Sequence, residues 1–232
     1  MLHTTRRVFR FLITVRFESF FGSMMAILFG SLFFEPQFYL EFVYPVLFFV
    51  NVISGIILIS IKKHHFFLAA IIFVIALALL GVNPFMAPHW ESRVELVELF
   101  FHFAFYSFVT IQIIQQVWQA KEVNANVILG LMSGYVALGL IAFFLFFTLE
   151  TLFPGSFTGL GLGSHEKVGK INSLLYYSFI TLMTIGYGEI YPVTIKAQKA
   201  AILVGLSGQF YLVIITAVVI EKYIKTKSSK EA

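Results

Sequence analysis

The chain has 232 residues, 59% of them hydrophobic and only 12% charged, with a net charge of +4 and a mean hydropathy of +0.90. A soluble domain carries about 25% charged residues, so most of this chain cannot be solvated surface, and a lipid bilayer is its expected solvent. Its basic residues cluster between apolar runs and at the two ends, which orients membrane helices and argues against a nucleic-acid partner; the absence of cysteine excludes disulfides and thiolate metal sites.

A spanning helix needs about 20 apolar residues. Six segments fit that need: 11–34, 39–61, 66–82, 94–118, 127–153 and 197–222. The first comes after a basic lead with Arg6, Arg7 and Arg10. "TTRRVFRFLITV" has the look of a twin-arginine export signal, but it lacks a small-residue cleavage pattern after it and the apolar run continues, so it reads as a first span. Lys62 and Lys63 lie after the second span, Lys121 after the fourth, and Lys222, Lys225, Lys227 and Lys230 mark the end of the sixth. The loop near Glu35 has no Lys or Arg, and the third loop has Arg93 alone. Basic residues thus dominate alternate loops, which predicts cytoplasmic termini.

The fourth segment, "VELVELFFHFAFYSFVTIQIIQQVW", has no Lys or Arg between Val94 and Trp118. A voltage-sensing helix needs repeated arginines because gating charges must move through the membrane field, so weak or absent voltage dependence is expected. Glu95, Glu98 and His102 fall on one helix face and form a candidate proton or divalent-cation sensor. The plainer reading puts the glutamates at the outer interface and hydrogen-bonds His102 to a neighbouring helix. Gln112, Gln115 and Gln116 are expected at helix contacts or at the interface.

The loop over 154–196 begins with the glycine-rich "PGSFTGLGLGSHEKVGK". The adjoining "INSLLYYSFITLMT" is too short to span a bilayer and suits a re-entrant helix, with Asn172 as its expected N-cap. Next comes "TIGYG". Non-helical backbone at membrane depth is tolerated only where it is buried in protein or lines a water-filled path. Backbone carbonyls can replace the water shell of a cation if successive oxygens face one axis, which requires alternating backbone handedness; Gly186 and Gly188 can take φ > 0 at little steric cost.

"TLMTIGYGEIYP" resembles the selectivity filter of tetrameric potassium channels. "LYYSFITLMT" is similar to their pore helix, "GEIYPVT" to their outer mouth, and "GLSGQFYLVIITAVV" to the inner helix of bacterial members. The likeness covers about residues 126–224, with Ile185 where Val is commoner and Glu189 where Asp is commoner. It implies an all-α integral membrane fold of six transmembrane helices, with a re-entrant pore helix and filter between the last two. One chain supplies one pore loop and a closed ring needs four, so a homotetramer with four-fold symmetry is implied. It also implies passive K+ flux, no enzymatic activity, and no cofactor besides K+ ions in the pore. K+ would be bound by carbonyls of Thr184, Ile185, Gly186 and Tyr187 and by the Thr184 hydroxyl, with Gly188 closing the motif. The Tyr187 ring would pack behind the filter. Glu189 would form an acidic ring at the mouth or brace the filter, and Tyr191 matches an outer-mouth aromatic that can face a quaternary ammonium.

Gly208 falls at the family's hinge glycine, with close helix packing as the alternative role. Leu212, Ile215, Thr216 and Val219 are the expected lining of the inner path, and Gln209 is expected near a wet cavity or another helix. The implied organisation is a four-helix part over 1–122, a pore domain over 123–225 and a short cytoplasmic tail over 226–232. The implied site is the plasma membrane, as in a bacterial inner membrane, with Lys222, Lys225 and Lys227 contacting anionic lipid on the cytoplasmic side. Alternatives within this frame are a less selective cation channel and a non-conducting regulatory subunit. A potassium-uptake subunit with four degenerate pore loops in one chain fits less well, because only one full loop is present.

Overall fold

A computed structural model of the chain describes residues 16–35, 38–59, 88–120, 124–161 and 166–231. Among these the fold is helical apart from one pair of two-residue strands. In chain order the elements are α1 (Arg16–Phe29), a 3-10 turn (Gly30–Leu32), a π turn (Tyr39–Val43), α2 (Tyr44–Ile59), α3 (Pro88–Gln119), α4 (Ala125–Leu152), β1 (Phe157–Thr158), α5 (Glu166–Leu182), β2 (Tyr191–Pro192) and α6 (Ile195–Glu231).

Three described helices are long and apolar enough to cross a membrane: Leu96–Gln119, Ala125–Leu152 and Ile195–Lys222. At a rise of about 1.5 Å per residue, the 28 residues of α4 reach roughly 42 Å, beyond the roughly 30 Å hydrocarbon core. These helices coincide with the fourth, fifth and sixth expected spans. The first and second expected spans correspond to α1 with its 3-10 turn and to the π turn with α2, a shorter apolar helix. The third, over 66–82, lies outside the described residues, as do the basic lead and Lys62, Lys63 and Lys121. Asn172 is not the N-cap of the short helix: α5 starts upstream, at Glu166, so Asn172 sits inside it.

The chain divides into two compact units, one of residues 1–73, 109–134 and 219–232, the other of 74–108 and 135–218. In the first, α1 buries Phe17, Phe20, Met24 and Ile27, spaced to fall on one face, and packs against α2. A polar bond fixes that pairing. The buried Asn51 amide donates to the Phe20 carbonyl (3.3 Å) and to Ser23 Oγ (2.9 Å). Such a bond is worth about 1 kcal/mol in a membrane and sets the register of the two helices. On the opposite side of α2, Val46, Phe49, Val50 and Ile53 are exposed, an apolar outer face suited to lipid. The π turn has a covalent cause. Pro45 has no N–H and its ring would clash with a carbonyl of the preceding helical turn, and the wider turn accommodates it. Tyr39 then reaches back through the space left by Gly30, and its hydroxyl donates to the Ile27 carbonyl (2.6 Å) at the end of α1.

Near the far end of this unit, Gln116 donates to the Leu58 carbonyl (3.2 Å), the helix-to-helix role expected of it. Gly130 makes room for the Phe17 ring and Val117. Lys222 donates to the carbonyls of Val117 (2.8 Å) and Trp118 (2.6 Å). These carbonyls belong to the last turn of α3, the Val117 one also accepting from the Ala120 N–H (3.2 Å), and Lys222 caps that turn. The sequence suggested a lipid contact for this lysine; its ammonium is instead held by protein carbonyls.

In the second unit, α4 contributes Phe143, Phe144, Phe146 and Phe147 to the core. Phe146 meets Phe157 at 5.3 Å and Tyr177 at 5.0 Å, and Phe157 meets Tyr177 at 5.4 Å, so three rings join α4, β1 and α5. Gly139 lets the Phe179 ring of α5 lie directly on α4. His102 is buried and stacks on Phe144 at 5.3 Å, and its Nδ1 is 2.8 Å from the Glu98 carbonyl. The Nδ1 contact is thus within its own helix, and α4 supplies the stacked ring.

Removing the Lys222 cap by Lys222→Met should loosen the end of α3 by about 1 kcal/mol. Hydrogen–deuterium exchange should then quicken over residues 115–120 and stay unchanged over α5.

Candidate ion-conducting segment

The short helix α5 ends in a turn that sets the conformation of the residues after it. The N–H of Thr184 bonds to the Thr181 carbonyl (3.0 Å), and the N–H of Ile185 to the Ile180 carbonyl (2.8 Å). This pair of bonds is the Schellman ending of a helix, which requires a left-handed residue, usually glycine. Here that residue is Thr184, at φ +57°, the one positive-φ non-glycine among the described residues. A β-branched residue in this region costs about 1–2 kcal/mol, so the neighbouring structure must hold it there.

The left-handed conformation then recurs at every second residue: Gly186 at φ +57° and Gly188 at +93°, while Ile185 and Tyr187 between them are not left-handed. This is the alternation expected of a stretch whose successive carbonyls face one way, and it begins one residue pair earlier than the glycines alone suggest. No backbone hydrogen bond among the described residues ends on a carbonyl of Thr184, Ile185, Gly186, Tyr187 or Gly188. The whole run from Met183 to Glu189 is exposed in the single chain. Five successive oxygens without an N–H partner are available to a ligand that takes oxygen donors, and a dehydrated cation is such a ligand.

The outer side of this segment is tied down by residues that sequence reading missed. Glu150, buried near the end of α4, accepts from the N–H of Gly155 (2.9 Å) and of Phe157 (3.1 Å). Ser156 is fully buried; its carbonyl accepts from the N–H of Val193 (2.8 Å), and its hydroxyl accepts from Thr194 (3.2 Å). Between these, β1 pairs with β2, with Thr158 opposite Tyr191. The residues after the filter-like run are thereby strapped to the end of α4. Gly159, at φ +87°, lies against the Glu189 carbonyl so closely that a Cβ there would overlap it. The only hint in the sequence was one glutamate in the apolar run "FFLFFTLETLF" and the richness in glycine after it.

Glu189 itself is bonded by the phenol of Tyr176 on α5, and that bond, with burial and the nearby charges adding to it, pushes the Tyr176 pKa up to about 12. The phenol therefore remains a donor through neutral pH. Tyr191 is half exposed on β2. Tyr187 is 72% exposed, so its own chain does not cover the ring that was expected to pack behind the segment.

The inner side is closed by α6. A Cβ on Gly208 would overlap the Leu182 carbonyl and lie 3.0 Å from Leu182 Cδ1, and one on Gly205 would lie 3.9 Å from the Thr181 carbonyl. Gly208 is thus a close-packing glycine in an unbroken helix. The next residue, Gln209, donates from Nε2 to Thr184 Oγ1 (3.1 Å). Farther along α6, Leu212 and Thr216 are exposed, Val219 is intermediate, and Ile215 is buried by the chain's own packing, as is Tyr211. Glu98 and His102 share a turn of α3, and the side chain of Glu95 lies outside those described. Glu98 is half-buried, its carbonyl is bonded to His102, and no cluster of three or more His, Cys, Asp or Glu suited to a metal occurs among the described residues.

Two sets of variants test this geometry. Gly155→Ala and Gly159→Ala both place alanine in the left-handed region, at about 1–2 kcal/mol each. Only Gly159 has a backbone carbonyl in the way, so its variant should lose about 1–3 kcal/mol more in thermal unfolding. Thr184→Gly should leave stability unchanged or slightly raised, because relieved strain offsets added chain entropy; a loss of several degrees in melting temperature would contradict a strained threonine.

No curated protein and no solved structure matches the chain. Residues 131–225, from within α4 to within α6, match the protein-family model described as an ion channel. That stretch contains α5, the alternating backbone run and both of its supports, so the chain carries an ion-channel domain, belongs in a membrane and is not an enzyme.

Proposed function

We propose that the protein is a potassium-selective channel in which four copies of the chain surround one pore and K+ moves passively down its gradient. The observation that carries this reading is the alternation of backbone handedness at Thr184, Gly186 and Gly188, with carbonyls that accept no backbone hydrogen bond. A single chain offers these oxygens from one side only; four chains around an axis would complete the coordination of a dehydrated cation. The resemblance of "TIGYG" and its flanks to potassium-channel filters supports the choice of K+, held by carbonyls of Thr184, Ile185, Gly186 and Tyr187 and by the Thr184 hydroxyl. Exposure of the Tyr187 ring fits a second chain covering it. Glu189 and Tyr191 form the outer mouth. Gly208 anchors the inner helix, and exposed Leu212 and Thr216 line the inner path.

The four-helix part over 1–122 precedes the pore domain over 123–225, with both termini cytoplasmic in the plasma membrane. The absence of Lys and Arg from Val94 to Trp118 gives the field little charge to move, so opening is not steeply voltage-dependent. Reconstituted protein under a K+/Na+ gradient should reverse near the K+ equilibrium potential, with a shallow conductance–voltage curve. Gly186→Ala, which forces a side chain into the left-handed region, should abolish the current while the protein stays folded. A reversal potential indifferent to K+ would falsify the assignment.

A further inference from the structure

Thr184 occupies a conformation that disfavours it, and among the described residues one side chain is placed to hold it there. Gly208 has no Cβ, so α6 can rest against the Leu182 carbonyl at the end of α5. That contact sets the distance of the next residue, and Gln209 reaches the Thr184 hydroxyl oxygen at 3.1 Å. Gln209 is exposed in the single chain, as is Thr184. Its polar end is thus committed to this oxygen on the open side of the helix, where no described element covers it.

We propose that Gln209 is a positioning residue for the innermost cation site: its carboxamide fixes the Thr184 hydroxyl so that this oxygen faces a cation at the inner mouth of the carbonyl run. This rests on the potassium-channel reading. The hydroxyl oxygen has two lone pairs. One accepts the Gln209 N–H, which leaves one for a cation and holds the side chain in one rotamer. Without that donor the hydroxyl turns freely, and a cation must order it on binding. The effect repeats in each subunit, so a modest contribution per chain becomes a clear change in affinity. Gln209 touches no cation; it acts through Thr184.

The test uses purified full-length protein and Ba2+, a divalent ion close to K+ in size. Calorimetric titration in Na+ buffer should show Gln209→Leu binding Ba2+ about tenfold more weakly than the wild type, with an unchanged helical spectrum. A second measurement separates the proposed clamp from general packing. Gln209→Leu should lower the melting temperature in the wild-type background but not in the Thr184→Gly background, where there is no hydroxyl to hold and no strain to restrain. Unchanged Ba2+ affinity in Gln209→Leu, or an equal melting penalty in both backgrounds, overturns the role of Gln209 and leaves the channel reading standing. A wild type that neither binds Ba2+ nor passes K+ overturns both.

Discussion

On the proposed reading the run of carbonyls without backbone hydrogen bonds lies at membrane depth, where it can persist only if the structure around it is fixed. The run from Thr184 to Gly188 makes no backbone bonds of its own on the acceptor side. Each unpaired polar group buried in an apolar setting costs several kcal/mol unless a ligand or water replaces the bond. The chain answers with supports on three sides. The Schellman ending of α5 holds the inner end, the Glu150 and Ser156 straps hold the outer end, and the Gly208 contact with Gln209 holds the base.

These supports use different physics because they sit in different surroundings. At the outer end the groups are polar, and a buried carboxylate takes two N–H donors from the turn after α4. Between α4, β1 and α5 the surroundings are apolar, and the Phe146–Phe157–Tyr177 rings fill the space by packing. At the base the backbone of one helix meets the carbonyl end of another, and only glycine allows it. On the proposed reading these devices keep the oxygens at the spacing of a cation without requiring the ion to build the site as it binds. That is the purpose of preorganised ligands generally.

Much of this was legible in the sequence because apolar runs and glycines report backbone needs directly. The lengths of α3, α4 and α6 come from apolar segments that must cross a bilayer, and the left-handed Gly186 and Gly188 come from the demand for alternating handedness. Other assignments failed for identifiable reasons. Asn172 looks like a cap because it precedes an apolar run, but α5 begins upstream in polar residues whose helical pattern is hidden by glycine. Lys222 looks like a lipid anchor because basic residues cluster after the last span, yet the Val117 and Trp118 carbonyls in the last turn of α3 lie within its reach. The Gly208 position reads equally as hinge or contact until the Leu182 carbonyl is seen against it.

By itself the sequence determined that the chain lives in lipid, where its long helices run, and that one loop breaks helical structure between two of them. It determined these because hydropathy and chain stiffness are local properties. Only the tertiary structure decided that Thr184 takes the strained left-handed place, that Gln209 reaches it, and that Glu150, Ser156 and Gly159 secure the outer end. Several of those contacts join residues far apart in the chain: Ser156 and Thr194 are separated by 38 positions and Gln209 and Thr184 by 25. No local pattern of hydrophobicity or turn chemistry encodes which distant partners the packed helices bring together.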